Sequence, residues 1–216
     1  MPTARSLVLT ALILAGQAPA QPEAGVSRLL EAVENRYNTP RTMSFTFEQT
    51  YSGGGRMTRT ERGELYLRKP GRMRWQYSEP PGKLFVTDGK FAYYYSPATN
   101  QVDKTRLKET DDLRAPLAFL MGRLDFKRDF KQFRTYAEGA NTYIVATPKS
   151  EKAPYTQVAF VVNRQYRIEM LRVNGQDESI LVYRLSDEKA NPPLDAKLFT
   201  FQAPPGSQIV ENADER

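Results

Sequence analysis

The chain has no histidine and no cysteine among its 216 residues. Without imidazole or thiolate, Ser-His-Asp and Cys-His catalytic sets, imidazole acid-base chemistry and the usual Cys/His zinc sites are excluded. A disulfide framework is excluded as well, and no cysteine is present to carry a lipid anchor. Long apolar runs are scarce: Leu7 to Ala15 falls well short of the ~20 residues that span a bilayer, and no other stretch approaches that length. There is no phosphate-cradling glycine loop, since Gly53 to Gly55 reads as a hairpin tip, and no fixed-period repeat, low-complexity tract or linker divides the chain. Paired carboxylates remain, Glu61 with Glu64 and Asp111 with Asp112, but each sits among turn and surface residues where solvation accounts for it. No metal or cofactor is expected.

The first 20 residues read as a secretory signal. Arg5 supplies the positive start, Leu7 to Ala15 the apolar core, and Ala18-Pro19-Ala20 the small-residue cleavage site. The expectation is an exported, soluble, monomeric product, one domain over residues 21–216, large enough for a substantial core. The formal net charge of +6 suits anionic lipid surfaces or acidic partner patches, and equally an ordinary solvated surface. Aromatic and basic residues together also suit nucleic-acid stacking, but export argues against such a partner.

Val26, Leu29, Leu30, Val33 and Tyr37 recur at helical spacing, which predicts an amphipathic helix over Val26 to Tyr37, ended by Pro40. Met43, Phe45 and Phe47 then alternate with polar residues, as in a strand. Leu113, Leu117, Leu120, Met121 and Leu124 again follow helical spacing, with Asp111 and Asp112 at the expected N-terminus and Pro116 confined to the first turn. Strands are predicted over 133–136, 143–147, 156–162, 167–173 and 179–185, with a last one over Phe199 to Phe201. Turn signals every 8 to 12 residues or so favour a barrel or sandwich over βαβ units.

Between Gly63 and Tyr95 three alternating runs are broken by Lys69-Pro70-Gly71, Pro80-Pro81-Gly82 and Asp88-Gly89, the composition of an antiparallel meander. Period two puts Leu65, Leu67 and Lys69 on one face, followed by Met73, Trp75 and Tyr77, then Phe91, Tyr93 and Tyr95. With Phe47, these residues form either a packed core or the wall of an apolar cavity. The many tyrosines and methionines suit an adaptable wall. Lys69 either snorkels to water from a strand end or is a buried cation that must find acceptors.

The run G-x-L-x-x-x-K-P from Gly63 to Pro70, a tryptophan shortly after, V-x-D-G-K from Val86 and Y-x-P-x-x-x-Q-V from Tyr95 resemble the LolA family, periplasmic carriers of outer-membrane lipoproteins. The likeness extends more thinly from the helix near Val26 to the Phe199-Thr200-Phe201 run. It implies an unclosed antiparallel β-barrel of about eleven strands covered by an α-helical lid. It also implies a non-enzymatic periplasmic carrier that accepts acylated lipoproteins from an inner-membrane ABC exporter and passes them to an outer-membrane receptor. The implied cavity comprises Phe47, Leu65, Leu67, Met73, Trp75, Phe91 and Tyr93, under a lid bearing Leu113, Leu117, Leu120 and Met121. In the family the residue before the proline is typically an arginine that hydrogen-bonds the lid helix, and Lys69 holds that position here. A binder of another lipid or hydrophobic small molecule on the same scaffold, and a hydrolase working with carboxylates, are the other readings.

Overall fold

The computed structural model describes residues 23–53, 56–107 and 124–211. The expected signal segment and the helix placed over residues 113–123 lie outside them, as do Leu113, Leu117, Leu120 and Met121. Helix α1 (Glu23–Asn38) opens the described chain. Its apolar stripe buries Leu30, Val33 and Tyr37. Thr39 N–H still bonds the Asn35 carbonyl at 3.2 Å, and Pro40, which has no N–H, ends the run.

Among the described residues twelve strands follow and join in one sheet. They are β1 (Thr42–Gly53), β2 (Arg56–Arg68), β3 (Arg72–Glu79), β4 (Leu84–Asp88), β5 (Phe91–Ser96) and β6 (Gln101–Arg106), then β7 (Phe130–Glu138), β8 (Asn141–Pro148), β9 (Tyr155–Val162), β10 (Ile168–Gly175), β11 (Ile180–Ala190) and β12 (Gln208–Glu211). A four-residue helix, α2 (Phe126–Asp129), precedes β7. The order is β12-β6-β5-β4-β3-β2-β1-β11-β10-β9-β8-β7, so the sheet is an unclosed barrel with β12 and β7 at its ends. Two antiparallel meanders, β1 to β6 and β7 to β11, are joined where β1 pairs with β11, Phe47 opposite Leu185.

Alternation explains the register. Met43, Phe45 and Phe47 of β1 face Leu67, Leu65 and Gly63 of β2, and Leu67, Leu65 and Gly63 face Met73, Trp75 and Tyr77 of β3. All of these side chains are buried in one apolar cluster that also takes in Leu30, Val33 and Tyr37 of α1. The inner face of the sheet is therefore the one under α1. The turns use the chemistry read from the sequence: Gly89 adopts φ +97°, while Asp88 Oδ1 accepts the N–H groups of Lys90 and Phe91 at 2.7 and 2.8 Å.

Two expectations are corrected. Phe199 to Phe201 is not a strand: Ala196–Phe199 is a 3-10 turn capped by Asp195, and Thr200 and Phe201 follow without ladder bonds. Proline pairs at 192–193 and 204–205 bracket the segment, and proline cannot donate to a ladder. The strand of this region is β12, which runs parallel to β6, Ile209 beside Val102. The second correction concerns β5. Its inner face carries Ala92 and Tyr94, which pair with Thr87 and Phe85 of β4. Phe91 and Tyr93 therefore point to the outer face, where Tyr93 stacks on Phe201 with centroids 4.7 Å apart. Phe199, 2% exposed, lies on that side with the fully buried Val86 and Val102. Arg74 of β3 ties this strap down by donating from Nη1 to the Leu198 carbonyl at 3.2 Å.

One backbone contact sets a sharp test. A Cβ at Gly63 would stand 2.1 Å from the Gln76 carbonyl oxygen and 2.8 Å from the Tyr77 Cα, whereas one at Gly25 in α1 meets nothing within 4 Å. Gly63→Ala is expected to lower stability by at least about 1 to 3 kcal/mol, the range for overpacking. Gly25→Ala should be neutral or raise it by up to about 1 kcal/mol. Urea unfolding followed by Trp75 fluorescence reads both; equal stabilities for the two variants would contradict the close approach.

Candidate functional site

The inner face brings Phe47, Leu65, Leu67, Met73 and Trp75 together. Phe47 packs edge-on against Trp75 at 4.7 Å and against Tyr77 at 5.1 Å, and Trp75 meets Tyr183 at 5.6 Å. The Trp75 indole N–H points to Met73 Sδ at 2.7 Å. Phe91 and Tyr93 do not join them, because the outer face of β5 holds them. On this side the apolar wall is built from β1, β2, β3 and β11, with Phe85 of β4 and Tyr94 of β5 at its margin, and it is continuous with Ile144, Phe160 and Leu171 of β8 to β10.

Lys69 stands at one end of this wall. Its Nζ donates to the carbonyl oxygens of Tyr37 and Asn38, each at 2.7 Å. These are among the last carbonyls of α1, which have no acceptor role left inside the helix, and a cation there also meets the negative end of the helix dipole. Partial burial holds the Lys69 ammonium pKa below its ordinary value. Among the described residues, the helix that Lys69 bonds is α1.

The same turn of α1 grips the chain elsewhere. Asn38 clamps Leu124, donating to its carbonyl at 2.7 Å and accepting its N–H at 3.0 Å. Glu34 accepts the Phe126 N–H at 2.7 Å; burial raises its carboxyl pKa, and the bond to Phe126 offsets part of that shift. Tyr37, 1% exposed, accepts the Ile168 N–H of β10 at 2.7 Å and donates to Glu188 of β11 at 2.8 Å. Arg36 pairs with the other oxygen of Glu188. The C-terminal end of α1 is thus bonded to Lys69 in the turn after β2, to β10 and β11, and to the segment leading into α2.

The far end of the wall holds charge, and it includes Glu61, which the sequence places among turn and surface residues. Glu61 is 2% exposed and Lys83 6%, and they form an ion pair at 2.5 Å. The ammonium also lies over the rings of Tyr77 at 4.3 Å and Tyr94 at 5.4 Å. Glu61 accepts from Arg59 at 3.1 Å and from Gln49 at 3.4 Å. Glu64 faces the opposite side, bonded to the Tyr66 hydroxyl, so Glu61 and Glu64 do not form a carboxylate pair. A strand phase would have found the cluster: counting back by two from Leu65 reaches Gly63 and then Glu61, and counting back from Phe85 reaches Lys83. Among the described residues no group of three or more acidic, histidine or cysteine side chains is placed to hold a metal.

Burial, and then the nearby Glu188 charge, raise the Tyr37 phenol well above its ordinary value, which is about 10. Below that pH both folded and unfolded chains keep the proton, and the contribution is fully present. Above it the unfolded chain ionises while the folded one does not, so stability falls as pH rises, by up to about 1.4 kcal/mol per pH unit. Tyr37→Phe should remove this part of the alkaline slope. It should also cost about 1 to 3 kcal/mol at neutral pH, because the Ile168 N–H and Glu188 lose a buried partner. Unfolding free energies at pH 7 to 11 check both; parallel pH curves for the two proteins would refute the assignment.

Residues 38–202 match the family model described as outer membrane lipoprotein carrier protein LolA. The outer-membrane lipoprotein carrier protein of Pseudomonas aeruginosa is 30% identical over 213 residues, covering 96% of this chain and 98% of its own. Its namesake in Klebsiella pneumoniae is 27% identical over 205 residues, covering 95% and 97%. Among solved structures, an uncharacterized conserved protein from Thermus thermophilus superimposes with a TM-score of 0.51 at 13% identity, over 87% of this chain and 99% of that one, which speaks to the fold. The family match spans both the apolar wall and Lys69 beneath the end of α1: the chain belongs to the LolA family of outer membrane lipoprotein carrier proteins.

Proposed function

We propose that the protein carries lipoproteins through the periplasm, holding their acyl chains against the inner face of the open barrel. It takes them from an inner-membrane ABC exporter and yields them to an outer-membrane receptor, without catalysing a reaction. The observation that carries this reading is the pair of bonds from Lys69 to the end of α1, set at the edge of an apolar wall in a sheet that does not close. The names of the curated relatives support it.

The physical need is large. Each acyl CH₂ left in water costs about 0.8 kcal/mol, so a lipoprotein's chains cannot cross an aqueous compartment bare. Apolar area on β1 to β3 offers them cover, and α1 lies over that area with Leu30 and Val33. Cargo must therefore compete with the helix, and transfer along the route follows the difference in affinity at each step. Lys69 biases this competition toward the closed, empty form, since a hydrogen bond from a charged donor is worth about 1.5 to 3 kcal/mol.

Incubation with lipoprotein-loaded inner-membrane vesicles tests the reading: release of lipoprotein into a soluble complex is expected. Copurification of a different lipid with no such release would favour the binder of another hydrophobic molecule. Lys69→Leu should still load but retain its cargo roughly tenfold longer or more in the presence of the receptor. Lys69→Arg, which keeps donors and charge, should transfer as the parent does. Unchanged release by Lys69→Leu would reduce Lys69 to a snorkelling lysine.

A further inference from the structure

The inner face ends on a buried ion pair that the carrier reading leaves unused. Glu61, Lys83, Gln49, Tyr77 and Tyr94 close on one another beside Phe47, at the opposite end of the wall from Lys69. Replacing a buried pair by apolar side chains of similar volume is often neutral or stabilising, so stability alone does not explain charges in this position. Nor are they arranged as ligand-binding groups. The Lys83 ammonium is occupied by Glu61 at 2.5 Å and by two ring faces, and Glu61 by Lys83, Arg59 and Gln49. What such a satisfied cluster offers a neighbouring hydrocarbon is a wall.

We propose that the Glu61–Lys83 pair is a depth stop that limits the length of acyl chain the carrier accepts. This rests on the carrier reading and adds to it a chain-length specificity. Up to the pair, every added methylene covers itself against Leu67, Leu65, Trp75 and Phe47. Beyond it, the next methylene meets an ion pair that gains nothing from hydrocarbon contact and would have to be parted to make room. Glu61 lies six residues along β2 from Leu67, about 20 Å at ~3.4 Å per residue, close to the length of an extended palmitoyl chain.

The test is a ladder of synthetic acyl peptides, decanoyl to eicosanoyl, titrated against the full chain with the fluorescence of Trp75, the only tryptophan. Affinity should rise about fourfold per methylene as far as palmitoyl and then level off. In Glu61→Leu/Lys83→Leu the rise should continue, so that the eicosanoyl peptide binds at least tenfold more tightly than to the parent. Near-ultraviolet circular dichroism establishes that the variant folds. Should it not, Glu61→Gln/Lys83→Met removes the charges with less change of shape and is expected to shift the break in the same direction. A parent ladder that binds but rises without a break, or a break at the same length in parent and variant, overturns the stop while leaving the carrier intact. Failure of the parent to bind at any length overturns the carrier reading and the stop with it.

Discussion

Everything on the inner face depends on the antiparallel pairing of β1 with β11. Each meander is held by local hairpins, but neither alone encloses anything; only this seam, formed between residues far apart in sequence, sets Trp75 of one half against Tyr183 of the other. Non-local pairing of this kind carries the largest loop-closure cost in the fold. It is secured by long strands, with β1 flanked along its length by β2 and β11, and by a helix that spans the join. Tyr37 makes that span physical, since its hydroxyl bonds β10 and β11 while the carbonyls of Tyr37 and Asn38 receive Lys69 from the end of β2.

The two lysines of the inner face solve the same desolvation problem differently. Lys83 is deep and closed in by side chains of the sheet itself, so its partners stay with it whatever α1 does. Lys69 is half-buried, and its acceptors belong to the helix. Were α1 to lift, Lys69 could turn to water at modest cost, whereas parting Lys83 from Glu61 would leave two buried charges bare. One cation thus takes its partners from the helix and the other from the sheet.

Much of this was legible in the sequence because one signal dominated locally. Strong turn composition and clean alternation placed the central meander, helical spacing placed α1, and the cost of a cation on an apolar face left Lys69 either to snorkel or to find acceptors, which the family resemblance put on a helix. The failures have equally local causes. In β5 the run Phe91-Ala92-Tyr93-Tyr94-Tyr95 has aromatics on both faces, so hydrophobicity does not phase the strand; its outward face is decided by Phe201, over a hundred residues away. Strand β12 is four residues long and solvated, and its two apolar residues are adjacent, with no alternation to read. Glu61 and Lys83 sit near turn-like composition, and charge there ordinarily means surface. Their burial follows only from carrying the strand phase through Gly63 and past Phe85.

The strap across the outside of β3 to β6 has a mechanical consequence. With Val86, Val102 and Phe199 sealed beneath it and Phe85 and Tyr94 on the other side, this part of the sheet is apolar on both faces and behaves as a sandwich panel. Flexing it in either direction would peel hydrocarbon from one skin or the other, so its elastic stiffness exceeds that of a bare ribbon. Little of the volume a guest needs can therefore come from bending this panel.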